Sequence, residues 1–501
     1  MNHRGPCKRA YRENEMECKY KYKTKPYEHQ QTALDIGGHQ TSFGYFMEMG
    51  TGKSKVLIDN MGMLYQQGEI DFALVLAPKG VYRNWVAKEI PEHMPDDIPL
   101  RVIRWVSGPN KKQQEEMRSV KNSFAGLTLF VMNIESFSTL KGKQAGEWMG
   151  RILGNKGMIA IDESTTIKNH KAKRTKNLCK ISQLFKYKRL LTGSPITKSP
   201  LDIYAQADFL NEGILGHDSF YSFQNRYAVL FKQKMGAKSF NQVVGYKNIE
   251  ELTAKINTFS YRVLKKDCLD LPEKVYVSRF IELTDEQKQM YEDIRKHAIV
   301  LHENNELTSA PAVITQLLRL QQILSGHLKT DDGDMITFPT KRMDALKDIL
   351  EEHDGKAIIW SRFRHDIQNI RDTLKKTFGE GCCAAYYGDT PDEERNNIVR
   401  DFQNSPDLKY FIGNPATAGY GLTLTEANLV VYYANDFNLE TRIQSEDRAH
   451  RIGQKNNVTY IDLISEDTID EKIVRSLHAK IELGAKVLGE EVRQWLNMTP
   501  K

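Results

Sequence analysis

Short apolar runs, each closed by Gly, Pro or a polar cluster and followed by a stretch with helical periodicity, recur along this chain. Residues 43–47, 73–77, 128–133, 158–162 and 188–192 form one series, and 357–361, 384–387, 410–413, 429–433 and 458–463 form a second. Strands that are apolar throughout, with helices between them, belong to parallel sheets covered on both faces. The spacing therefore predicts two α/β lobes of the same kind. Residues 201–341 lack the rhythm, and helical patterns at 285–304 and 311–325 predict a helical insertion or bridge there. At the end, 469–497 places Ile473, Leu477, Ile481 and Leu488 on one helical face, which predicts a helix packed on the lobes. The expected division is a basic segment 1–25, a first lobe 26–210, a helical insertion and connector 211–340, a second lobe 341–468 and a terminal helix 469–501.

Composition narrows the class. At 501 residues the length suggests about three structural units, and 40% hydrophobic with 27% charged residues is ordinary for a soluble chain. No window reaches the ~20 apolar residues of a membrane span, and the first residues are too polar for a secretory signal, so an intracellular protein without a membrane partner is expected. Cys7, Cys18, Cys179, Cys268, Cys382 and Cys383 form none of the close pairs used by structural zinc, and they read as reduced thiols. The net charge of +6 is modest. Its distribution is more telling, with positive residues gathered at 4–25, 168–189 and 232–238; such clusters are solvated faces by default and phosphate-facing in some cases.

The sharpest local signal is Gly50-Thr51-Gly52-Lys53-Ser54, directly after an apolar strand and before a helical segment. A bound triphosphate needs close backbone N–H groups, a cation at the β/γ-phosphates and a hydroxyl for Mg²⁺, and the glycines, Lys53 and Ser54 supply these in order. The usual pattern has a further Gly or Ala where Met47 stands. Downstream, Met158 to Ile161 form an apolar strand that ends in Asp162 and Glu163. Asp162 suits Mg²⁺, a hard cation, and Glu163 suits orienting an attacking water; an adjacent acid pair alone would read as a solvated turn. Arg448 and Arg451, three apart in the second series, are predicted to share a helical face. An arginine that reaches a transferring phosphoryl group only when the lobes close makes hydrolysis depend on closure.

Taken together, these motifs resemble the SWI/SNF-type DNA translocases of helicase superfamily two, over nearly the whole chain. Pro26-Tyr27-Glu28-His29-Gln30 resembles the adenine-reading motif, with Gln30 as the ring contact. Met49 to Ser54 matches the first motif, Ala77-Pro78-Lys79 with Trp85 and Glu89 the next, and Asn133-Ile134-Glu135-Ser136 the one after. Asp162-Glu163-Ser164-Thr165 and Leu191-Thr192-Gly193-Ser194-Pro195 stand at the second and third. In the second lobe, Ile358 to Phe363, Thr417 to Leu424 and Gln444 to Gln454 resemble the fourth, fifth and sixth. Lys265-Lys266-Asp267 and Leu271-Pro272-Glu273-Lys274 resemble the central connector. Departures are Thr165 where the family commonly has His, Lys198 for Asn and Phe437 for Trp.

The resemblance implies two RecA-like parallel-sheet lobes and an enzyme that hydrolyses ATP with Mg²⁺ on double-stranded or branched DNA, tracking along it without parting the strands. It implies nucleotide contacts from Gly50, Thr51, Gly52, Gly421 and Gln444 besides Gln30, metal contacts from Ser54 and Asp162, and catalytic roles for Lys53, Asp162, Glu163, Arg448 and Arg451. By motif position, Lys79, Asn133, Ser194, Ser361, Arg362 and Thr417 are the candidate nucleic-acid contacts. Backbone phosphates suit a motor because they carry little sequence information. A strand-separating DNA or RNA helicase stays open as an alternative, as does an ATP-gated binding protein with vestigial hydrolysis. With no accessory module visible, the expectation is a minimal, monomeric motor of bacterial or viral type working in replication, recombination or repair.

Overall fold

In the computed structural model, the described residues are 20–489 except 80, 107, 236–237, 304–309, 331 and 419–421. The first series becomes β1 (Ser42–Met47), β2 (Phe72–Ala77), β4 (Leu127–Asn133), β5 (Gly157–Asp162) and β6 (Tyr187–Leu191), and a strand that no run predicted, β3 (Leu100–Arg104), falls between β2 and β4 along the chain. A hairpin, β7 (Ala228–Met235) and β8 (Lys238–Tyr246), precedes β9 (Ser260–Val263). The connector then enters β10 (Lys274–Phe280), followed by the small ribbon β11 (His327–Lys329) and β12 (Met335–Thr337). The second series is β13 (Lys356–Ser361), β14 (Cys383–Tyr386), β15 (Tyr410–Gly413), β16 (Ala427–Ala434) and β17 (Val458–Ile464).

Two sheets result, in the orders β3-β4-β2-β5-β6-β1-β9 and β10-β17-β16-β13-β15-β14, and every strand pair in both is parallel. This is the α/β architecture of two parallel-sheet lobes expected from the pattern. Because side chains alternate across a strand, Phe72, Leu74 and Leu76 enter one core while Ala73, Val75 and Ala77 enter the core on the opposite face. The second lobe repeats the device, with Ile359 on one side and Ile358 and Trp360 on the other. Burial on both faces is why these strands are apolar at every position.

The stretch read as a helical insertion, 211–340, is corrected in one respect. Its helices Asp285–Glu303 and Ala310–Leu324 are present, but it also gives one strand to each sheet, β9 and β10, and carries the hairpin. The β10 strand escaped notice because most of its side chains stand exposed at the sheet edge. The hairpin escaped because Val229, Phe231 and Val244 are exposed and it is held by its own ladder, so lysines interrupt the apolar signal. Helix Ile469–Val487 spans both lobes: Ile473, Leu477 and Ile481 pack with Leu320, Ile323 and Leu324, and Thr253 in the first lobe donates its hydroxyl to the Val487 carbonyl at 2.6 Å. Among the described residues, no helix is long and apolar enough to cross a membrane.

Candidate active site between the lobes

Strands β5, β6 and β1 are neighbours, so the loops that leave their carboxyl ends converge, the usual place for a ligand on a parallel sheet. After β1 the chain turns through Gly50 and Gly52, with φ of 81° and 85°, and enters helix Lys53–Gln66. Left-handed glycines before a helix N-terminus aim successive N–H groups into one concavity, a cradle for phosphate oxygens. Thr51 braces the turn by donating its hydroxyl to the Glu48 carbonyl at 2.7 Å. Gln30 braces it from outside: its amide donates to the Thr51 carbonyl at 3.0 Å, and its Oε1 accepts the Tyr27 N–H at 3.0 Å. The residue expected to read an adenine ring is thus also a support of the phosphate loop.

Asp162 ends β5, with Oδ2 accepting the Trp85 indole N–H at 2.9 Å and Oδ1 accepting the Glu163 N–H at 3.0 Å. Burial raises its pKa, opposed by the Lys53 ammonium. Glu163 follows in a left-handed backbone, φ 53°, and lines the small cavity beside Thr165 and Gln444. Burial, with Asp162 and Glu440 adding to it and Lys53 and Arg448 opposing it, pushes Glu163 up to about 7. An acid poised there can take a proton at neutral pH. Ser54 opens the helix after Lys53. Its hydroxyl and the Asp162 carboxylate, with the free lone pairs left to each oxygen, are a hard-oxygen donor set that fits Mg²⁺.

From the second lobe, Arg448 donates its Nε to the Gln444 carbonyl at 2.9 Å, and both Arg448 and Arg451 donate to the Leu422 carbonyl, at 3.2 and 3.1 Å. The shared helical face expected for them is corrected. Helix Leu439–Glu446 stops before Arg448, and the pair sits in the tight turns that follow, where Arg448 N–H bonds Ser445 O and Ala449 N–H bonds Glu446 O. They converge through one carbonyl instead. This segment faces the phosphate loop: a Cβ on Gly50 would lie 3.8 Å from Arg451 Cβ and from Lys265 Cε. A small cavity between Glu163 and Thr165 on one side and Glu440 and Gln444 on the other completes the cleft.

Sequence reasoning missed Glu440, which accepts from Thr165 and Lys168 across the cleft, and gave no role to Lys265. Lys265 donates its N–H to Glu48 Oε2 at 2.7 Å and its ammonium to Asp447 Oδ1 at 2.6 Å. An acid in the first turn of a helix and a basic connector are common in any protein, so neither carried a signal. Gly421 lies outside the described residues, as do Cys7, Cys18 and most of the basic segment. Of the candidate nucleic-acid contacts, Lys79 is exposed, while Asn133, Ser194 and Thr417 are partly so. Arg362 bridges to Asp436 at 3.3 Å. Ser361 is fully buried with its hydroxyl donated to Asp366 at 2.7 Å, which leaves Arg362 as the accessible one of the two candidates there.

A family model described as the SNF2-related domain matches residues 44–328, and one described as the helicase conserved C-terminal domain matches 341–453. An uncharacterized ATP-dependent helicase of Mycoplasma genitalium is 26% identical over 449 residues, 89% of this chain and 40% of that protein. The putative ATP-dependent helicase/translocase YwqA of Bacillus subtilis is 26% identical over 457 residues, 89% of this chain and 46% of that one. The chain thus spans less than half the length of either relative. A solved Sulfolobus solfataricus SWI2/SNF2 ATPase core in complex with dsDNA is similar at 24% identity and a TM-score of 0.42, over 96% of each chain.

Proposed function

The chain belongs to the SNF2-related helicase-like ATPases, and from that premise we propose that it is an ATP-driven translocase on double-stranded DNA. The observation that carries the reading is the placement of Arg451 against the phosphate loop at Gly50, with Arg448 close enough to act on the ionisation of Glu163. A nucleotide held at Lys53 is then enclosed by both lobes, so its hydrolysis and their relative position are one process.

In this reading Lys53 neutralises the β/γ-phosphates, Glu163 orients the attacking water and takes its proton, and Arg448 with Arg451 meets charge developing on the transferred group. Ser54 and Asp162 would hold Mg²⁺, which supplies further charge neutralisation at the phosphates. Gln444, buried in the cleft, completes the nucleotide's surroundings. Lys79, Arg362 and Thr417 at the rim are the proposed backbone contacts, and a role in replication, recombination or repair is the setting this chemistry suits. The helicase/translocase name of the Bacillus relative agrees with a motor reading.

The deciding measurement compares ATP turnover with duplex DNA, single-stranded DNA and RNA, followed by third-strand displacement against strand separation. Duplex stimulation with displacement of a third strand and no separation is expected. Stimulation by RNA alone rejects the reading.

A further inference from the structure

Resting on the reading of the cleft as the hydrolytic site, we propose that Glu440 is a positioning residue for ATP hydrolysis, registering the arginine-bearing segment against the acid pair through Thr165 and Lys168. Thr165 donates its hydroxyl to Glu440 Oε1 at 2.6 Å, and the Lys168 ammonium donates to Oε2 at 3.0 Å. Both oxygens of one second-lobe carboxylate are therefore engaged by the first lobe. The two donors lie in and just after the turn Ser164–Ile167, which begins at the residue following Glu163. Lys168 also donates to Thr197 Oγ1 at 2.7 Å, extending the grip to the loop after β6.

On its own side Glu440 is fixed at the start of helix Leu439–Glu446, its N–H donated to Asn438 Oδ1 at 3.0 Å. The same helix holds Gln444, whose carbonyl accepts Arg448 Nε. About one turn of helix, Glu440 to Gln444, thus joins the carboxylate that grips the first lobe to the carbonyl that holds Arg448. Thr165 is only 2% exposed, so its hydroxyl requires a partner, and Glu440 is the partner supplied. At Thr165 the contact across the cleft runs through a hydroxyl and a carboxylate.

The test uses the full chain and measures kcat and KM for ATP, with and without duplex DNA, for Glu440→Ala, Glu440→Gln, Thr165→Val and the Glu440→Ala/Thr165→Val pair. Glu440→Ala is expected to lower kcat roughly tenfold with KM little changed. The double variant should be no slower than Glu440→Ala, because both changes remove one contact. Glu440→Gln keeps an acceptor for Thr165 and should fall between, which guards against a variant that merely misfolds. An unchanged kcat in Glu440→Ala, or effects that multiply in the double, would overturn the proposal. Because basal turnover suffices, failure of any nucleic acid to stimulate the wild type would reject translocation while leaving this test intact.

Discussion

Replacing the two loop glycines with alanine separates backbone strain from the support given by Gln30. Gly50 and Gly52 have nearly the same left-handed φ, so alanine at either costs about 1–2 kcal/mol. Their surroundings differ. A methyl at Gly50 meets nothing nearer than 3.8 Å, whereas one at Gly52 would lie 2.1 Å from Gln30 Nε2. That amide is 3% exposed and tied to Thr51 and Tyr27, so it has to be evicted and its bond to the loop lost. A hydrogen bond of this kind contributes about 1 kcal/mol, which is roughly fivefold in affinity. Displacement of a fluorescent ATP analogue should show Gly52→Ala binding weaker than Gly50→Ala by about that factor. Adding Gln30→Ala to Gly52→Ala should weaken binding no further, although Gln30→Ala alone does. Equal affinities for the two alanine variants, or additive losses in the double, would refute the claim that Gln30 braces the loop.

Lys53→Ala, Glu163→Gln and Arg451→Ala should each abolish turnover, by about a thousandfold or more for the arginine, with Glu163→Gln still binding ATP; retained hydrolysis in Glu163→Gln removes its assigned role. With Glu163 raised to about 7, kcat/KM should fall about tenfold for each pH unit below neutrality. The same shift lies above the unfolded value of roughly 4.3, so Glu163 favours the fold below that pH and loses this contribution as pH rises through 7. Urea melts at pH 5 and pH 8 should therefore show a smaller loss in Glu163→Gln than in the wild type. Arg342 is buried and donates to the Tyr433 carbonyl at 2.6 Å, to Ser465 Oγ at 3.1 Å and to Asp470. Arg342→Met strands the Asp470 charge and should destabilise the second lobe by about 3–5 kcal/mol, read as a lowered Tm.

Where a strand is buried on both faces, the sequence announces it: β1, β2, β4, β5 and β6 and the five strands β13 to β17 stand within a residue or two of the apolar runs that predicted them. Edge strands are harder to read, since β3 is only partly buried and most of β10 is exposed, so both carry arginine and β10 also lysine and serine. The same division governs the site. Gly50 to Ser54 and Asp162-Glu163 are contiguous, so local chemistry names them. Trp85 on Asp162, Gln30 on Thr51 and Glu440 on Thr165 join positions 77, 21 and 275 residues apart, and only the folded chain shows that they meet. Arg448 and Arg451 were identifiable as a pair, but their geometry was not, because the turn that ends the helix carries no glycine or proline before Gly453.

The single covalent crossing between the sheets leaves from β9, which lies beside the strand carrying the phosphate loop, and Glu48 ties both sides of it, donating its N–H to Val263 at 3.0 Å and accepting from Lys265. The one covalent joint between the sheets therefore lies beside the loop proposed to hold the phosphates, and in the proposed cycle a change at the terminal phosphate would act directly on that joint.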